Sequence, residues 1–557
     1  MRMIQAGKLG LIILLVFGLA YMAILLINPQ LGPTDDFVFL RTLQAGQPLL
    51  YYSADFPYYN SYEIGRFTPL VATEYNIYNF FSKSSSPFWY YFSHALQLVI
   101  FMILAVKIFS LFLPSKKLAY LITALISLTP GFTFTWFRLQ LNERDMLVAL
   151  ALFLWCYFAY LQKPKIGYLL AGLAAANIAI YYKETAFIVM GAFALSHLIL
   201  SGKKLEKRIK VFDLLLLLSA FIYFALYVIF FLPYGGIFVY GSNGQPFDLG
   251  GILRSFFNYA TVSDPIIMLI VLPLALWRFY QILTKRLQSE PLYDSLLFAS
   301  FVYVSTFFIL RLSGVYYFLP LYILSLPAVF YFFKQPINKV APWKILSRLA
   351  LFFLIVNSIP LGLHYLTYYK YLPINFNRTL NFIVAEVKAK KSARPVNIFF
   401  AGLNKGSGNW NYFIISEFLL AQGLSPAQFD LKAEVEDEKK SKTQPLPLAI
   451  PKISLPYGVF QDNGPALVQS GDYLVVSPHS TDFAKTNGNR QYLASLITDY
   501  RLVFQTQSLF EFPQVTLKEL GRLILSAGAH PQQKFLGLIS RKKPNWDSPD
   551  YYVFIKK

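Results

Sequence analysis

The chain has 557 residues, of which 56% are hydrophobic, 18% aromatic and only 14% charged. Because soluble domains carry charge on about a quarter of their residues, this composition excludes an ordinary soluble enzyme, a disordered protein and a disulfide scaffold. The 50 basic and 29 acidic residues give a net charge of +21. In a membrane protein, such an excess indicates basic cytoplasmic loops before it indicates a nucleic-acid partner.

Eleven apolar stretches, each near the ~20 residues that a helix needs to cross a bilayer, predict a polytopic α-helical membrane protein. They cover about residues 9–27, 88–113, 118–134, 146–161, 166–181, 185–200, 214–232, 265–282, 296–310, 316–333 and 345–366. The first stretch follows Arg2 and Lys8 but precedes no small-residue cleavage site, so it predicts an uncleaved helix.

Basic clusters occur in every second loop between these stretches. The clusters are Lys116/Lys117, Lys163/Lys165, Lys203 to Lys210, Arg278/Lys285/Arg286 and Lys334/Lys339/Lys344. Because basic loops stay on the cytoplasmic side, the pattern predicts a multi-pass protein of the plasma membrane with a cytoplasmic N-terminus. It also accounts for much of the positive charge, so no nucleic-acid partner is expected.

The last part of the chain, residues 367–557, is predicted to form an extracytoplasmic α/β domain. Its strand-like and helix-like segments are NIFFAG (397–402), NYFIISEFLLAQGL (411–424), DYLVVS (472–477), QYLASLITDY (491–500) and YYVFIK (551–556). The charged run 432–440 predicts a solvated loop or helix end. The chain therefore divides into a transmembrane module at 1–366, with a first external loop at about 28–87, and an external domain at 367–557.

Two adjacent carboxylates, Asp35 and Asp36, follow the first predicted membrane exit behind the turn segment NPQLGPT. Adjacent carboxylates repel each other, and limited access to water favours their protonated forms. One of them is therefore a candidate general base with a shifted pKa. The alternative is a helix N-cap, because Pro-Thr-Asp-Asp before FVFLRTLQAG is typical capping chemistry.

Two arginines lie near the same predicted external side. Arg66 in GRFTPL and Arg311 before LSGVYYFLP are candidate phosphate ligands, because a guanidinium binds phosphate through two parallel hydrogen bonds. The alternative for Arg66 is an interfacial residue paired with Glu63 or lipid. The alternative for Arg311 is a side chain that snorkels to the membrane surface.

Two further charged motifs stand at predicted membrane depth. NERD contributes Glu143, Arg144 and Asp145, and KET contributes Lys183 and Glu184. Ionisable side chains at such depth are costly, so they pair with one another or line a functional cavity. The sequence leaves both interpretations open.

These motifs, in this order, resemble segments of the GT-C superfamily of integral-membrane glycosyltransferases, most closely its protein O-mannosyltransferase-like branch (glycosyltransferase family 39-like). The matching segments are TDD (34–36), RFTPL (66–70), PFWYYFSHALQLV (87–99), NERDMLVAL (142–150), KET (183–185) and RLSGVYYFLP (311–320). The resemblance covers about residues 5–335. The chain lacks a tetratricopeptide array and a recognisable MIR-like domain, so the acceptor, whether protein, lipid or glycan, stays open.

The resemblance implies a GT-C-like fold that transfers a hexosyl or pentosyl group from a polyprenyl or dolichyl phosphate donor to an acceptor hydroxyl, with inversion. In that mechanism Asp36 or Asp35 is the general base, and Arg66, Arg311 and Lys183 bind the donor phosphate. The residues that support the cavity are Glu143, Arg144, Asp145 and Glu184. No cofactor and no metal site are predicted, because histidine is scarce and the acidic pair makes an incomplete ligand shell; a divalent ion is the alternative.

Other function classes fit the same composition. A transporter or flippase of lipid-linked sugars predicts inverted repeats and broken helices, and the sequence contains no such repeat. A polysaccharide polymerase or ligase that uses a diphosphate-linked donor is chemically close to the first interpretation. An inactive scaffold that displays the external domain is a further alternative.

Overall fold

The architecture is that of a helical bundle followed by a small mixed sheet. The structure is a computed structural model, and it describes residues 2–33, 36, 67–71, 73–82, 86–139, 141–231, 249–310, 312, 314–334, 341–390, 394–401, 408–434, 454–455, 458–459, 465–478, 493, 496–513, 517 and 548–557.

Helices make up most of the described part of the first 390 residues. They are α1 (Arg2–Leu26), α2 (Thr73–Ser82), α3 (Phe88–Phe112), α4 (Lys116–Ser127), α5 (Pro130–Phe137), α6 (Glu143–Gln162), α7 (Ile166–Tyr182), α8 (Ala186–Ser201), α9 (Lys207–Leu226), α10 (Leu249–Asn258), α11 (Leu272–Leu283), α12 (Pro291–Ile309), α13 (Leu319–Phe333), α14 (Ala341–Phe353) and α15 (Ile359–Lys390). Single π-helical segments follow α9 and α10, precede α11 and join α14 to α15.

Each of the eleven predicted apolar stretches contains helical structure. Among the described residues, six helices are long and apolar enough to cross a membrane, or up to eight if each of two bent helix pairs counts as one span. The polytopic membrane class is therefore supported by length and composition, whereas the number of eleven spans stays a prediction.

One of the predicted spans is broken, and a second helix break lies at the start of another, 265–282. The stretch at 118–134 is divided into α4 and α5, which are bent by 65°, and the helix that ends at Ser263 is bent by 115° from the one that begins at Ile267. The first break has a local cause, because Thr129 is extended (φ −69°, ψ 151°) before Pro130, and proline disfavours a helical residue before it.

Close backbone contacts hold the first break in place. A Cβ atom on Gly131 of α5 would lie 2.5 Å from the carbonyl oxygen of Val315, whereas one on Gly167 of α7 would meet nothing within 4 Å. We expect Gly131→Ala to lower the free energy of unfolding by about 1–3 kcal/mol, because the backbone must shift to relieve the overlap. Gly167→Ala is the matched control and should be neutral or slightly stabilising. Thermal unfolding in detergent checks this; equal midpoints for the two variants would contradict it.

A buried ion pair joins α11 to α12. The Nε and Nη2 atoms of Arg278 each lie 2.7 Å from a carboxylate oxygen of Asp294, and the guanidinium lies 4.5 Å from the ring centre of Phe332. Assigning Arg278 to a basic loop was therefore wrong in one respect: its charge is buried and neutralised within the fold. Such bidentate pairs have a defined geometry, so this one fixes the orientation of the two helices.

The C-terminal sheet combines parallel and antiparallel strands. Its strands are β1 (Val396–Phe400), β2 (Phe429–Glu434), β5 (Pro465–Ala466), β6 (Tyr473–Val476), β7 (Tyr500–Gln505) and β8 (Tyr552–Lys556), in the order β5-β2-β1-β6-β8-β7. A separate short hairpin consists of β3 (Ser454–Leu455) and β4 (Gly458–Val459). Helix α16 (Gly408–Ala421) connects the parallel neighbours β1 and β2, as parallel pairing requires a crossover.

Three predicted strand segments are found as β1, β6 and β8, and the predicted helix at 411–424 is found as α16. Two of the strands that were not predicted overlap segments for which another structure was expected. β2 includes Lys432 to Glu434, so the first residues of the charged run belong to a strand rather than a loop, and β7 begins at Tyr500, where a helix end was predicted. β7 is one edge strand of the sheet and β2 lies next to the other edge strand, and the β-propensity of a segment depends on such context.

Helix α15 links the bundle to the sheet. It runs without interruption through the predicted domain boundary at 366/367, and the first strand begins only at Val396. Near the sheet, Asn375 Nδ2 lies 3.1 Å from Ser508 Oγ and 3.0 Å from Asp550 Oδ1. The side chains of α15 thus contact both the loop after β7 and the loop before β8.

This junction predicts a pH dependence of stability. Burial, with the negative charge of Glu511 nearby, raises the pKa of Asp550 from 3.8 to about 6. The folded protein therefore binds the proton more tightly than the unfolded chain, so stability from this group is present below pH 4 and is lost as the pH rises to about 6. We expect Asp550→Asn to raise the free energy of unfolding at pH 7.5 by about 2–3 kcal/mol.

Thermal unfolding of both proteins at pH 4.5 and 7.5 checks this prediction. The unfolding midpoint of the variant should rise clearly at pH 7.5 and little at pH 4.5, because asparagine imitates the protonated acid. Asparagine also keeps an oxygen that can accept from Ser508 N–H, which lies 3.2 Å from Asp550 Oδ1 in the unchanged protein. A loss of stability at both pH values would contradict it.

Candidate functional site

Asp36 lies beyond the end of α1 and is only 4% exposed. Its Oδ2 atom accepts a hydrogen bond from the backbone N–H of Gly32, at 2.6 Å. The loop that carries it is fastened to α15, because Lys370 Nζ donates to the Ile27 carbonyl and Asn377 Nδ2 donates to the Leu31 carbonyl at 2.8 Å. The carboxylate is therefore held in a defined position and shielded from bulk water.

Helix α3 packs on the other side of this loop. The Tyr91 hydroxyl donates to the Gln30 carbonyl at 3.1 Å and interacts electrostatically with the Asp36 carboxylate. One turn further along α3, the ring of His94 lies 5.7 Å from that of Tyr91, centre to centre. Tyr91 thus lies between the loop that carries Asp36 and a second group of polar residues.

That second group is centred on Arg144, whose side chain is 1% exposed. We call it the Arg144 cluster; its members are Glu74, Tyr75, His94, Gln97, Arg144, Asp145 and Tyr182. Arg144 donates from Nε to Gln97 Oε1 at 2.6 Å and from Nη2 to Glu74 and Asp145 at 3.2 Å each. Nη2 also lies 3.0 Å from the Tyr75 hydroxyl. The guanidinium therefore ties α2 and α3 to the start of α6.

The Arg144 cluster places two carboxylates on one guanidinium. Glu74 belongs to α2, outside the candidate spans, and its Oε2 also accepts a hydrogen bond from Tyr182 at 3.0 Å. Burial, followed by the charge of Asp145, raises the pKa of Glu74 to about 8, although Arg144 opposes the shift. The two carboxylates thus share a single guanidinium, and burial together with their mutual repulsion favours the protonated form of Glu74.

His94 completes the cluster with a defined tautomer. Its Nδ1 atom lies 2.8 Å from the Trp136 carbonyl oxygen, which can only accept, so Nδ1 carries a hydrogen. The Arg144 Nη1 atom, 3.2 Å from the same nitrogen, is then a neighbour and not a hydrogen-bond donor to it. His94 is therefore a hydrogen-bonded packing residue that joins α3 to α5.

A separate ion pair lies at the start of α6. Lys183 Nζ is 2.8 Å from Glu143 Oε1, and both side chains are buried, with exposed fractions of 11% and 2%. The Glu143 and Glu184 carboxylates act electrostatically on Tyr303, whose hydroxyl is 3.3 Å from Thr185 Oγ1. A phosphate that approaches Lys183 would therefore compete with a carboxylate already in place.

Sequence reasoning passed over Arg138 as a site residue. Its guanidinium lies 4.9 Å from the ring centre of Phe134, and that ring stacks on Tyr316 at 5.3 Å and contacts Tyr369 at 4.8 Å. Tyr316 experiences the charges of both Arg138 and Glu143. The signal was available, because Arg138 is the only charged residue between positions 118 and 142, and such isolated charges at membrane depth are rarely without a role.

A buried acid at the second helix break was also missed. Asp264 is 1% exposed and lies between the two segments that are bent by 115°. Its carboxylate lies beside the hydroxyl of Tyr322, with which it interacts electrostatically. The signal was an acidic residue placed directly before an apolar stretch.

The predicted site residues have different outcomes. Asp35, Arg66 and Arg311 lie outside the described residues. Arg144 with Asp145, and Lys183 with Glu143, form buried ion pairs, as the structural alternative for these motifs expects. Glu184 lies beside Lys183 in the turn before α8.

Within the described part of the chain, no three His, Cys, Asp or Glu side chains are grouped so that they could hold a metal ion. Metal independence stays a prediction, because Asp35 is not among the described residues.

The chain matches no protein-family model and no curated protein. Among solved structures, it is similar to the oligosaccharyltransferase AglB from the archaeon Archaeoglobus fulgidus, in complex with an inhibitory peptide and a dolichol-phosphate. The two chains share 12% sequence identity with a TM-score of 0.40, over 98% of this chain and 88% of that chain. A likeness of this level identifies neither a fold family nor a function.

Proposed function

We propose that the protein is a GT-C-type glycosyltransferase of the O-mannosyltransferase-like branch. It transfers a monosaccharide from a polyprenyl or dolichyl phosphate to an acceptor hydroxyl with inversion of configuration. The reaction takes place on the extracytoplasmic face of the plasma membrane, on which the C-terminal domain also lies, while the N-terminus is cytoplasmic. The acceptor is a protein, lipid or glycan.

The observation that carries this proposal is the position of Asp36. A carboxylate that is 4% exposed and fixed by Gly32 N–H at 2.6 Å is costly to keep unless it has a task. The loop that carries it contacts α3 through Tyr91 and α15 through Asn377, and the Tyr91 ring in turn contacts His94 of the Arg144 cluster. These features support a preorganised base in a water-poor site.

The chemistry requires one base and a cation for the departing phosphate. The Asp36 carboxylate accepts the proton of the acceptor hydroxyl, whose oxygen forms a bond to the anomeric carbon. The bond between that carbon and the phosphate oxygen breaks, and the lipid phosphate leaves with the electron pair. Arg66, Arg311 and Lys183 stabilise the phosphate, and Arg138 is a further cation that we place in this group.

A second candidate function is favoured by one observation. A transporter or flippase of lipid-linked sugars uses discontinuous helices, and two helix pairs here are bent by 65° and 115°. The buried Asp264 at the larger bend is the kind of group that such a site contains. Transport leaves the sugar attached to its lipid, whereas the transferase releases the lipid phosphate.

Reconstituted protein with radiolabelled sugar on polyprenyl monophosphate or diphosphate distinguishes these functions. The transferase releases lipid monophosphate from the first donor, and EDTA leaves the rate unchanged, because no metal is required. Preference for the diphosphate donor would indicate a polymerase or ligase. Movement of intact donor across the bilayer without sugar release would indicate a transporter, and a chelator-sensitive rate restored by a divalent ion would contradict metal independence.

A further inference from the structure

A segment of the C-terminal domain follows α15 toward the bundle. Residues 508–513, which we call the strap, begin two residues after the end of β7 and have no helical or strand structure. At its start, Ser508 Oγ lies 3.1 Å from Asn375 Nδ2. At its end, Phe512 N–H donates to Thr367 Oγ1 at 3.1 Å, and the Phe512 carbonyl accepts from His364 Nδ1 at 2.9 Å.

These anchors fix the direction of the strap. From Asn375 to the level of Thr367 and His364, α15 advances about 12–16 Å, because a helix rises about 1.5 Å per residue. Four residues of extended chain, from Ser508 to Phe512, cover about 13 Å at about 3.3 Å each. The strap is therefore extended and antiparallel to α15, and Leu509 and Phe510 lie between the levels of Asn375 and Thr367.

Leu517, beyond the strap, is bound at a still deeper level. Its N–H donates to Asn357 Oδ1 at 2.7 Å, and Asn357 is about 15 Å deeper than Thr367 and about 10 Å deeper than His364 by the same helical rise. Asn357 also donates from Nδ2 to the Thr261 carbonyl at 2.6 Å, at the second helix break. Because unpaired backbone groups are costly within a bilayer, the three polar side chains His364, Thr367 and Asn357 have a physical role: they satisfy backbone groups of Phe512 and Leu517.

The level of the membrane surface follows from α14 and α15. The continuous helix formed by α14, the π-helical segment and α15 becomes apolar after Arg348. About 20 residues, or about 30 Å of helix, cross the hydrocarbon layer, so its far boundary is near residue 368. Tyr365, Tyr368 and Tyr369 occur there, and such aromatic residues are enriched at membrane–water interfaces. Leu509 and Phe510 therefore lie within about 10 Å of the hydrocarbon boundary, at headgroup level.

Both side chains are exposed to the surroundings. Leu509 is 75% exposed and Phe510 is 47% exposed, although the Phe510 ring contacts that of Phe512 at 4.7 Å. We propose that Leu509 and Phe510 insert into the headgroup layer of the leaflet on the side of the C-terminal domain, so that the strap is a lipid-binding surface that holds this domain against the membrane. The partner is the lipid surface itself, and the proposal does not depend on the catalytic activity.

Site-directed spin labelling tests this proposal on the full chain. Cys156 is the only cysteine and is buried, so Cys156→Ala provides a background for Leu509→Cys and Phe510→Cys in phosphatidylcholine proteoliposomes. Ile497→Cys is the matched control, because Ile497 is also apolar and 59% exposed but precedes β7, at the opposite end of that strand from the strap.

We expect a several-fold higher ratio of oxygen to nickel-chelate accessibility at 509, 510 or both than at 497, because oxygen concentrates in lipid and the chelate in water. The same labels in detergent micelles without phospholipid establish that each variant is folded, by an unchanged elution volume. Ratios at 509 and 510 equal to the ratio at 497 would overturn the proposal.

Discussion

Replacement of Asp36 by asparagine is expected to reduce sugar transfer by about 10²–10⁴-fold, the range that a positioned general base contributes. In the unchanged protein, Gly32 N–H lies 2.6 Å from Asp36 Oδ2, and asparagine keeps an oxygen that can accept this hydrogen bond. It cannot, however, take a proton from the hydroxyl of the acceptor substrate. The loss should therefore fall on the rate of transfer, while the thermal unfolding midpoint stays near that of the unchanged protein. The measurement is release of radiolabelled sugar from the lipid monophosphate donor.

Asp35→Asn is the matched control, because it removes a neighbouring carboxylate of the same kind. If Asp36 is the base, Asp35→Asn retains more activity than Asp36→Asn; the opposite order assigns the role to Asp35. Full activity in both variants would remove the proposed mechanism.

Replacement of Arg144 by methionine is expected to lower the free energy of unfolding by about 3–5 kcal/mol, the cost of breaking a buried ion pair from one side. The Arg144 side chain is 1% exposed and lies 3.2 Å from both Glu74 and Asp145. Without the guanidinium, Asp145 is left buried and uncompensated. Thermal unfolding in detergent, at one fixed heating rate, should show a clear drop in the midpoint.

Two controls separate this effect from a general sensitivity to charge removal. Arg208→Met breaks the exposed pair with Glu206, whose side chains are 38% and 59% exposed, and should cost at most about 1 kcal/mol. Glu74→Gln should also have a small effect at pH 7, because glutamine keeps an oxygen that can accept from Arg144 and Tyr182 and burial already raises the pKa of Glu74. A midpoint for Arg144→Met equal to that for Arg208→Met would contradict the structural role.

The NERD motif illustrates how far sequence reasoning reached at the site. Charged residues at membrane depth predict pairing or a cavity, and pairing is what Arg144 and Glu143 show. The partners were beyond prediction, because Glu74 is separated from Arg144 by 70 positions and no local pattern connects them. Arg138 could have been predicted as a site residue, because it is the only charged residue in a long apolar stretch. Its aromatic surroundings could not, because they come from α5, α15 and the turn at Tyr316, which are far apart in the sequence.

By itself, the sequence determined a helical membrane protein with basic alternate loops and a C-terminal α/β region, because hydrophobicity and its period are properties of neighbouring residues. Tertiary structure alone decided that Asp36 is buried and that the loop carrying it is bound to α15 through Asn377 and Leu31, which are 346 positions apart. It also decided that Asn375, Thr367 and His364 of α15 bind the strap. These contacts depend on which helix ends lie next to one another in the folded protein. Short-range sequence periodicity does not predict that, because it reflects only neighbouring residues.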